Sequence, residues 1–202
     1  MKLVRNRYKG VVFFGEPGSG KTTAAKVLTD KVGGCELLEA SLVLKFALSL
    51  KQLPKTKGEF IARVDDGHKD DVINRDKARE IFSQLTQKYS KTIVAESMNA
   101  LVDRKYKDKF VVIAGARALD AAKFYKLNNF LIIYLECPRR ELIGRLKSRQ
   151  KSEQEVKREL RHEEEIYQTK KIKKVADLVL DSFKMSPDQI ANALLDYLQS
   201  VC

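Results

Sequence analysis

The chain alternates short unbroken apolar runs with longer segments in which apolar residues recur every three or four positions. Val11-Val12-Phe13-Phe14, Phe110 to Ala114 and Phe130 to Leu135 are the clearest runs. Each is of strand length and none alternates polar with apolar, the signature of strands covered on both faces. Cys35 to Glu39 and Leu178-Val179-Leu180 add two shorter strands. Helical spacing predicts a first helix over Ser19 to Val32, closed by Gly33-Gly34, and a second over Leu42 to Leu50 that stops before Pro54. Asp76 to Arg104 carries two more, with Ile81, Leu85 and Tyr89 on one face and then Ile93, Ser97 and Leu101. Leu119 to Leu127 is helix-length, and a further helix follows Pro138 through Leu142 and Leu146.

Beyond a hydrophilic stretch at Lys147 to Glu155, a charged helix shows only the narrow stripe Val156, Leu160 and Tyr167, so it should touch the core along one edge. Ser186-Pro187-Asp188-Gln189 is a capping box with proline at the first helical position, opening a last helix that docks through Ile190, Leu194, Tyr197 and Val201. Lys51 to Arg75, polar and broken by Pro54, Gly58 and Gly67, reads as loop. Buried strands alternating with helices predict an α/β fold: one domain over residues 1–202, with five parallel strands covered on both faces. The order of the strands is not written in this pattern.

Charge sharpens the picture. The 202 residues include 39 Lys and Arg against 27 Asp and Glu, a formal net charge of +12, which points to a polyanionic ligand, either a nucleotide or a nucleic acid. About half of the excess lies in one segment, Arg139 to Lys174. No apolar run approaches the roughly 20 residues a membrane helix needs, and MKLVRNRYKG is followed by no apolar signal core, so no membrane association and a cytoplasmic location are expected. Cys35, Cys137 and Cys202 form no C-x-x-C pair, which fits a reducing compartment.

The chemistry is concentrated in Gly15-Glu16-Pro17-Gly18-Ser19-Gly20-Lys21-Thr22, which fits G-x-x-x-x-G-K-[ST] between a predicted strand and a predicted helix. Glycines let the backbone N–H groups of Gly18, Gly20 and Lys21 turn onto the β-phosphate of ATP, and the helix dipole adds to them. Lys21 neutralises β and γ oxygens, Thr22 ligates Mg²⁺, and Gly15 to Thr23 together form the nucleotide cradle. Arg75 and Arg79 lie one helical turn apart and share a face, well placed to grip an acceptor phosphate or to stand as surface charge. Glu39 ends the second predicted strand, where a carboxylate can serve as base for a hydroxyl acceptor or form a surface ion pair. Asp65-Asp66-Gly67-His68-Lys69-Asp70-Asp71 lacks the ordered ligand spacing of a calcium loop and reads as a polar loop. His162 reads as solvated.

The sequence resembles the nucleoside monophosphate kinase-like group of P-loop kinases, which includes adenylate kinases and dephospho-CoA-kinase-like proteins. The resemblance rests on Gly15 to Thr22, on VVIAGAR at 111–117, on LECP-x-x-x-L-x-x-R-L-x-x-R from Leu135 to Arg149, on Arg161 before an acidic run, and on AD-x-V-L-D at 176–181. It implies a P-loop NTPase three-layer sandwich with an acceptor-binding helical region at about 40–104 and a basic lid at about 147–165. It also implies that Arg117 holds acceptor phosphates, that Arg145 stacks on adenine, and that Arg149, Arg158 and Arg161 close over the transferring phosphoryl group. Relatives carry an acidic residue where this chain has Ala114; Glu39 or Asp120 are the candidates to replace it.

The expected activity is ATP- and Mg²⁺-dependent transfer of the γ-phosphoryl group to a small-molecule acceptor, a nucleoside or deoxynucleoside monophosphate, by a monomer or homodimer. One alternative is a hydroxyl acceptor, as in dephospho-CoA or a nucleoside, with Glu39 as base. A second is a degenerate ATP-binding protein that binds nucleic acid or a protein partner, which the net charge and Ala114 motivate but do not favour.

Overall fold

The computed structural model describes residues 7–148 and 152–201, apart from the side chain of His162. In chain order its elements are β1 (Gly10–Phe14), α1 (Lys21–Lys31), β2 (Glu36–Glu39), α2 (Ser41–Ser49), α3 (Lys57–Arg63), α4 (Arg75–Lys88), α5 (Ile93–Lys105), β3 (Val111–Ala114), α6 (Leu119–Leu127), β4 (Phe130–Glu136), α7 (Arg139–Lys147), α8 (Glu153–Tyr167), α9 (Thr169–Ile172), β5 (Leu178–Asp181) and α10 (Pro187–Ser200). The five strands form one parallel sheet in the order β2-β3-β1-β4-β5. β1 and β4 are the longest-paired neighbours, with Gly10 opposite Phe130 and Phe14 opposite Tyr134. Every residue of β1 and β3 is buried, so the unbroken apolar runs do mark the inner strands.

Two apolar layers hold the sheet. Ala24, Ala25 and Leu28 of α1 and Ile190, Leu194 and Leu198 of α10 cover one face against Val11, Phe13, Val112 and Leu131. The other face is covered by Phe46 of α2, Phe60 of α3, Ile81 and Leu85 of α4, Met98 and Leu101 of α5, and Ala122 and Tyr125 of α6, which meet Val12, Phe14, Ile113 and Ile132. Burying each large side chain of this set stabilises the fold by about 2 kcal/mol. A small third cluster, Cys137, Leu142, Leu146, Val156 and Leu160, ties α7 to α8.

Three details depart from the sequence reading. Lys51 to Arg75 is not wholly loop: Thr56 caps α3 in a reciprocal capping box with Glu59, and Phe60 anchors the helix in the core. A single Gly58 in its exposed first turn does not outweigh that cap and that anchor. The last helix docks through Ile190, Ala191, Leu194 and Leu198, while Tyr197 and Val201 are only half-buried. The short α9, absent from the sequence reading, follows Gln168, which turns the chain in a left-handed conformation at φ 51°. No helix among the described residues is long and apolar enough to cross a membrane.

Candidate functional site

The glycine loop joins the end of β1 to α1 at the carboxyl edge of the sheet. Gly15, Gly18 and Gly20 all have positive φ, at 146°, 86° and 85°. At Gly15 a Cβ would lie 2.6 Å from both the Leu135 carbonyl oxygen and Ser19 Oγ, so only glycine fits. Gly20 is the N-cap of α1; it offers no side-chain cap, and no acidic residue occupies the first turn. The first amides of α1 therefore have no partner within the helix and meet the positive end of its dipole, which suits an anion. A Cβ built at Gly20 would meet nothing within 4 Å, so the loop leaves open space there. Ser19 Oγ is buried without a hydrogen-bond partner.

Lys21 folds back over this loop, its Nζ donating to the carbonyl oxygens of Gly15 at 2.8 Å and Glu16 at 3.0 Å. Desolvation first, and then the positive charge of Arg117, lower its pKa to about 7. Glu16 moves the other way, raised by desolvation against the pull of Lys170 and Arg139. Pro17 is buried beside it, and Thr22 and Thr23 are exposed at the start of α1. The loop is braced from α7: Leu146 would be 3.4 Å from a Cβ on Gly18, and Arg145 donates to the Gly18 carbonyl oxygen at 3.3 Å and to that of Ser182 at 2.9 Å while pairing with Glu141. These features fit a nucleotide triphosphate, with Thr22 available to its metal.

Next to the loop lies a cavity of about 250 Å³. It is lined by Thr22 at the start of α1, Glu39 at the end of β2, Arg75, Arg79 and Phe82 of α4, Lys91 and Val94 before and in α5, and Gly115 to Ala118 after β3. Glu39, Arg75, Arg79 and Arg117, scattered over 79 positions of the chain by sequence number, thus converge on one cavity that Thr22 also reaches. Glu39 is exposed and accepts from Ser41 Oγ at 3.3 Å. Ala118, directly after Arg117, is held at φ 23°, an unfavourable conformation for a residue with a Cβ.

The remaining sequence candidates lie elsewhere. Arg158 and Arg161 are exposed on α8, and Arg149 lies outside the described residues. Asp120 is exposed in the first turn of α6 and does not line the cavity. The aspartate-rich loop is tied up internally, with Asp66 held by Lys105 and Tyr106 and His68 Nδ1 2.8 Å from Asp71. No group of three or more potential metal ligands occurs among the described residues.

Sequence reasoning missed the acidic side of α8. Glu159 and Glu163 are 3% and 1% exposed and pair with Arg75 and Arg117. They lie at the spacing of Val156, Leu160 and Tyr167, so the signal was two carboxylates on the apolar face of the helix. Phe82 and Tyr167, whose rings meet edge to face at 5.3 Å, were also missed as cavity lining, as was Tyr125, whose hydroxyl is buried without a partner.

A parallel sheet in this order, with a glycine loop between β1 and α1, makes the protein a P-loop NTPase of kinase-like three-layer fold. A family model described as an AAA domain matches residues 11–168, and the chain belongs to that family. Among solved structures, protein TT1252 from Thermus thermophilus superposes with a TM-score of 0.61 at 18% identity, covering 98% of this chain and 100% of that one. A shikimate kinase from Acinetobacter baumannii, determined in complex with shikimate, gives 0.57 at 15% identity over 95% and 94% of the two chains. A sugar kinase from Janibacter gives 0.51 at 20% identity over 95% of each. The mouse protein threonine synthase-like 1 is 28% identical over 141 residues, which is 69% of this chain; the match spans 15% of that relative's length.

Proposed function

We propose that the protein transfers the γ-phosphoryl group of ATP to a small anionic acceptor, a nucleoside or deoxynucleoside monophosphate, bound in the cavity beside the glycine loop. The observation that carries this reading is the convergence of Arg75, Arg79 and Arg117 on a cavity that Thr22 also lines. Phosphoryl transfer asks little of a protein beyond alignment and positive charge around the equatorial oxygens. When bound, ATP supplies the phosphoryl group and Mg²⁺ offsets its charge.

This chain's own residues do the rest. Gly18, Gly20 and Lys21 present backbone amides to the donor phosphates, and Lys21 Nζ exchanges its loop carbonyls for phosphate oxygens. Thr22 would hold the metal, with Glu39 lining the same cavity as an acidic partner for it. Arg117 lines the cavity and lowers the Lys21 pKa through its charge, which supports a role bridging donor and acceptor. Arg75 and Arg79 bind the acceptor phosphate, and Phe82 with Tyr167 offers flat apolar surface to a base. Arg145, spanning the Gly18 and Ser182 carbonyls, is available to the adenine.

A second reading has a specific observation behind it. Glu39 faces the same cavity and is suited to deprotonate a hydroxyl acceptor. Mass spectrometry of the products formed from ATP and Mg²⁺ with monophosphates, nucleosides and dephospho-CoA separates the two. ADP from the donor forms in either case, so a diphosphate of the acceptor nucleoside supports the first reading; phosphorylation of a hydroxyl with every monophosphate untouched replaces it with the second.

A further inference from the structure

Two of the three cavity arginines are paired with carboxylates from α8, while Arg79 pairs with Asp76 on its own helix. Arg75 on α4 pairs with Glu159, and Arg117 after β3 pairs with Glu163, one turn further along α8. The burial within each pair is lopsided. The Glu159 and Glu163 side chains keep 3% and 2% of their surface in solvent, whereas Arg75 and Arg117 keep 38% and 36% and line the cavity. Taking a carboxylate out of water costs several kcal/mol unless a cation answers it, so two such groups on one helix face demand a purpose beyond packing. Hydrophobic residues at the same positions would seal α8 onto the core without that cost.

We infer that Glu163, together with Glu159, is a positioning residue: it fixes the guanidinium of Arg117 so that its open side presents N–H donors to an anion in the cavity. A guanidinium carries five donors in a rigid fork, and Glu163 engages Nη1. Tyr167, one further turn along α8, lies against the same group, with its ring centre 5.8 Å from the Arg117 Cζ atom. Arg117 is therefore held by a carboxylate and an aromatic face from one helix. Ala118 next to it sits in strained backbone, and a mobile arginine would gain nothing from that strain.

The inference rests on the anion-binding reading of the cavity, and the test keeps the two apart. Inorganic phosphate is titrated into the full chain while saturating ADP occupies the glycine loop. The side-chain Nε–H resonances of Arg75 and Arg117, assigned with Arg75→Lys and Arg117→Lys, report the binding. In the wild type both resonances should shift with phosphate. In Glu163→Gln, with ADP kept saturating, the Arg117 response should weaken about tenfold, the equivalent of one charge-assisted hydrogen bond.

Equal phosphate affinity in wild type and Glu163→Gln overturns the positioning role and leaves the cavity reading intact. Wild-type resonances that ignore phosphate overturn the cavity reading and the inference with it. If Glu163→Gln fails to bind ADP, Glu163→Asp, which keeps the charge but withdraws it by one methylene, is read on the same scale. An intermediate loss of phosphate affinity supports positioning, and no loss overturns it.

Discussion

Glu39 and Ala114 are direct register partners at the carboxyl ends of the neighbouring strands β2 and β3. Ala114 is fully buried in the apolar layer that α1 and α10 form on the sheet, where a carboxylate would be desolvated without a partner. Glu39, beside it, faces the cavity that Thr22 lines. We propose that Glu39 supplies, one strand away, the carboxylate expected at 114. Glu39→Gln should raise the Mg²⁺ concentration needed for half-maximal turnover by about tenfold, since a single hydrogen bond to a charged group is worth about 1.5 kcal/mol. Excess Mg²⁺ should then restore the rate. A rate that stays low at saturating Mg²⁺ assigns Glu39 to proton removal from a hydroxyl acceptor instead.

Lys21 gives the site a pH dependence whose sign follows from its environment. Desolvation places its pKa at about 7 in the ligand-free protein, and a polyphosphate beside Nζ favours the charged form, so binding must raise that value. Nucleotide affinity should be greatest below pH 7 and fall by up to about tenfold per unit as pH rises through 7 toward the raised pKa of the complex. Calorimetry at pH 8 in buffers of different ionisation enthalpy should register proton uptake on ADP binding. The uptake should vanish in Lys21→Ala.

Removing Arg117 leaves Glu163 as a buried carboxylate without its cation. Arg117→Met should cost about 3 kcal/mol, the low end for a broken buried pair because the arginine keeps part of its side chain in solvent. Arg117→Met with Glu163→Met should recover most of that loss while staying inactive. Chemical denaturation of the two variants measures both effects, and a single variant as stable as the wild type would show that the pair does not persist in solution.

Tyr125 is packed by Phe14, Phe124 and Phe130, and its hydroxyl has no partner. Burial alone pushes its pKa well above the usual tyrosine range. Tyr125→Phe keeps the ring contacts and removes the unanswered hydroxyl, so it should leave stability unchanged or raise it by about 1 kcal/mol. A lower melting temperature would mean that the hydroxyl is bonded in solution.

The sequence made some of this site legible and hid the rest for definite reasons. The run from Gly15 to Thr22 was readable because it places its atoms through local backbone geometry alone. The pairing of Arg75 and Arg79 was readable because both lie on one helix face. Bringing Glu39, Arg75 and Arg117 to one cavity depends on the strand order, which no local pattern encodes. Glu159 and Glu163 were legible in position but not in burial: they share a face with Val156 and Leu160, yet glutamate is normally solvated, and only the opposing arginines make burial tolerable. The helix α3 had a readable capping box, which Gly58 and the surrounding polarity obscured.

If the glycine loop and the arginine-lined cavity act as the two halves of one transfer site, the rate of ADP formation from ATP and Mg²⁺ must respond to the acceptor. With each of the ribo- and deoxyribonucleoside monophosphates in turn, and Lys21→Ala as the blank, at least one monophosphate should raise the rate well above that with ATP alone, and Arg79→Ala and Arg117→Met should abolish the increase. ADP formation that no monophosphate accelerates, in a protein that still binds ATP, would contradict that shared site.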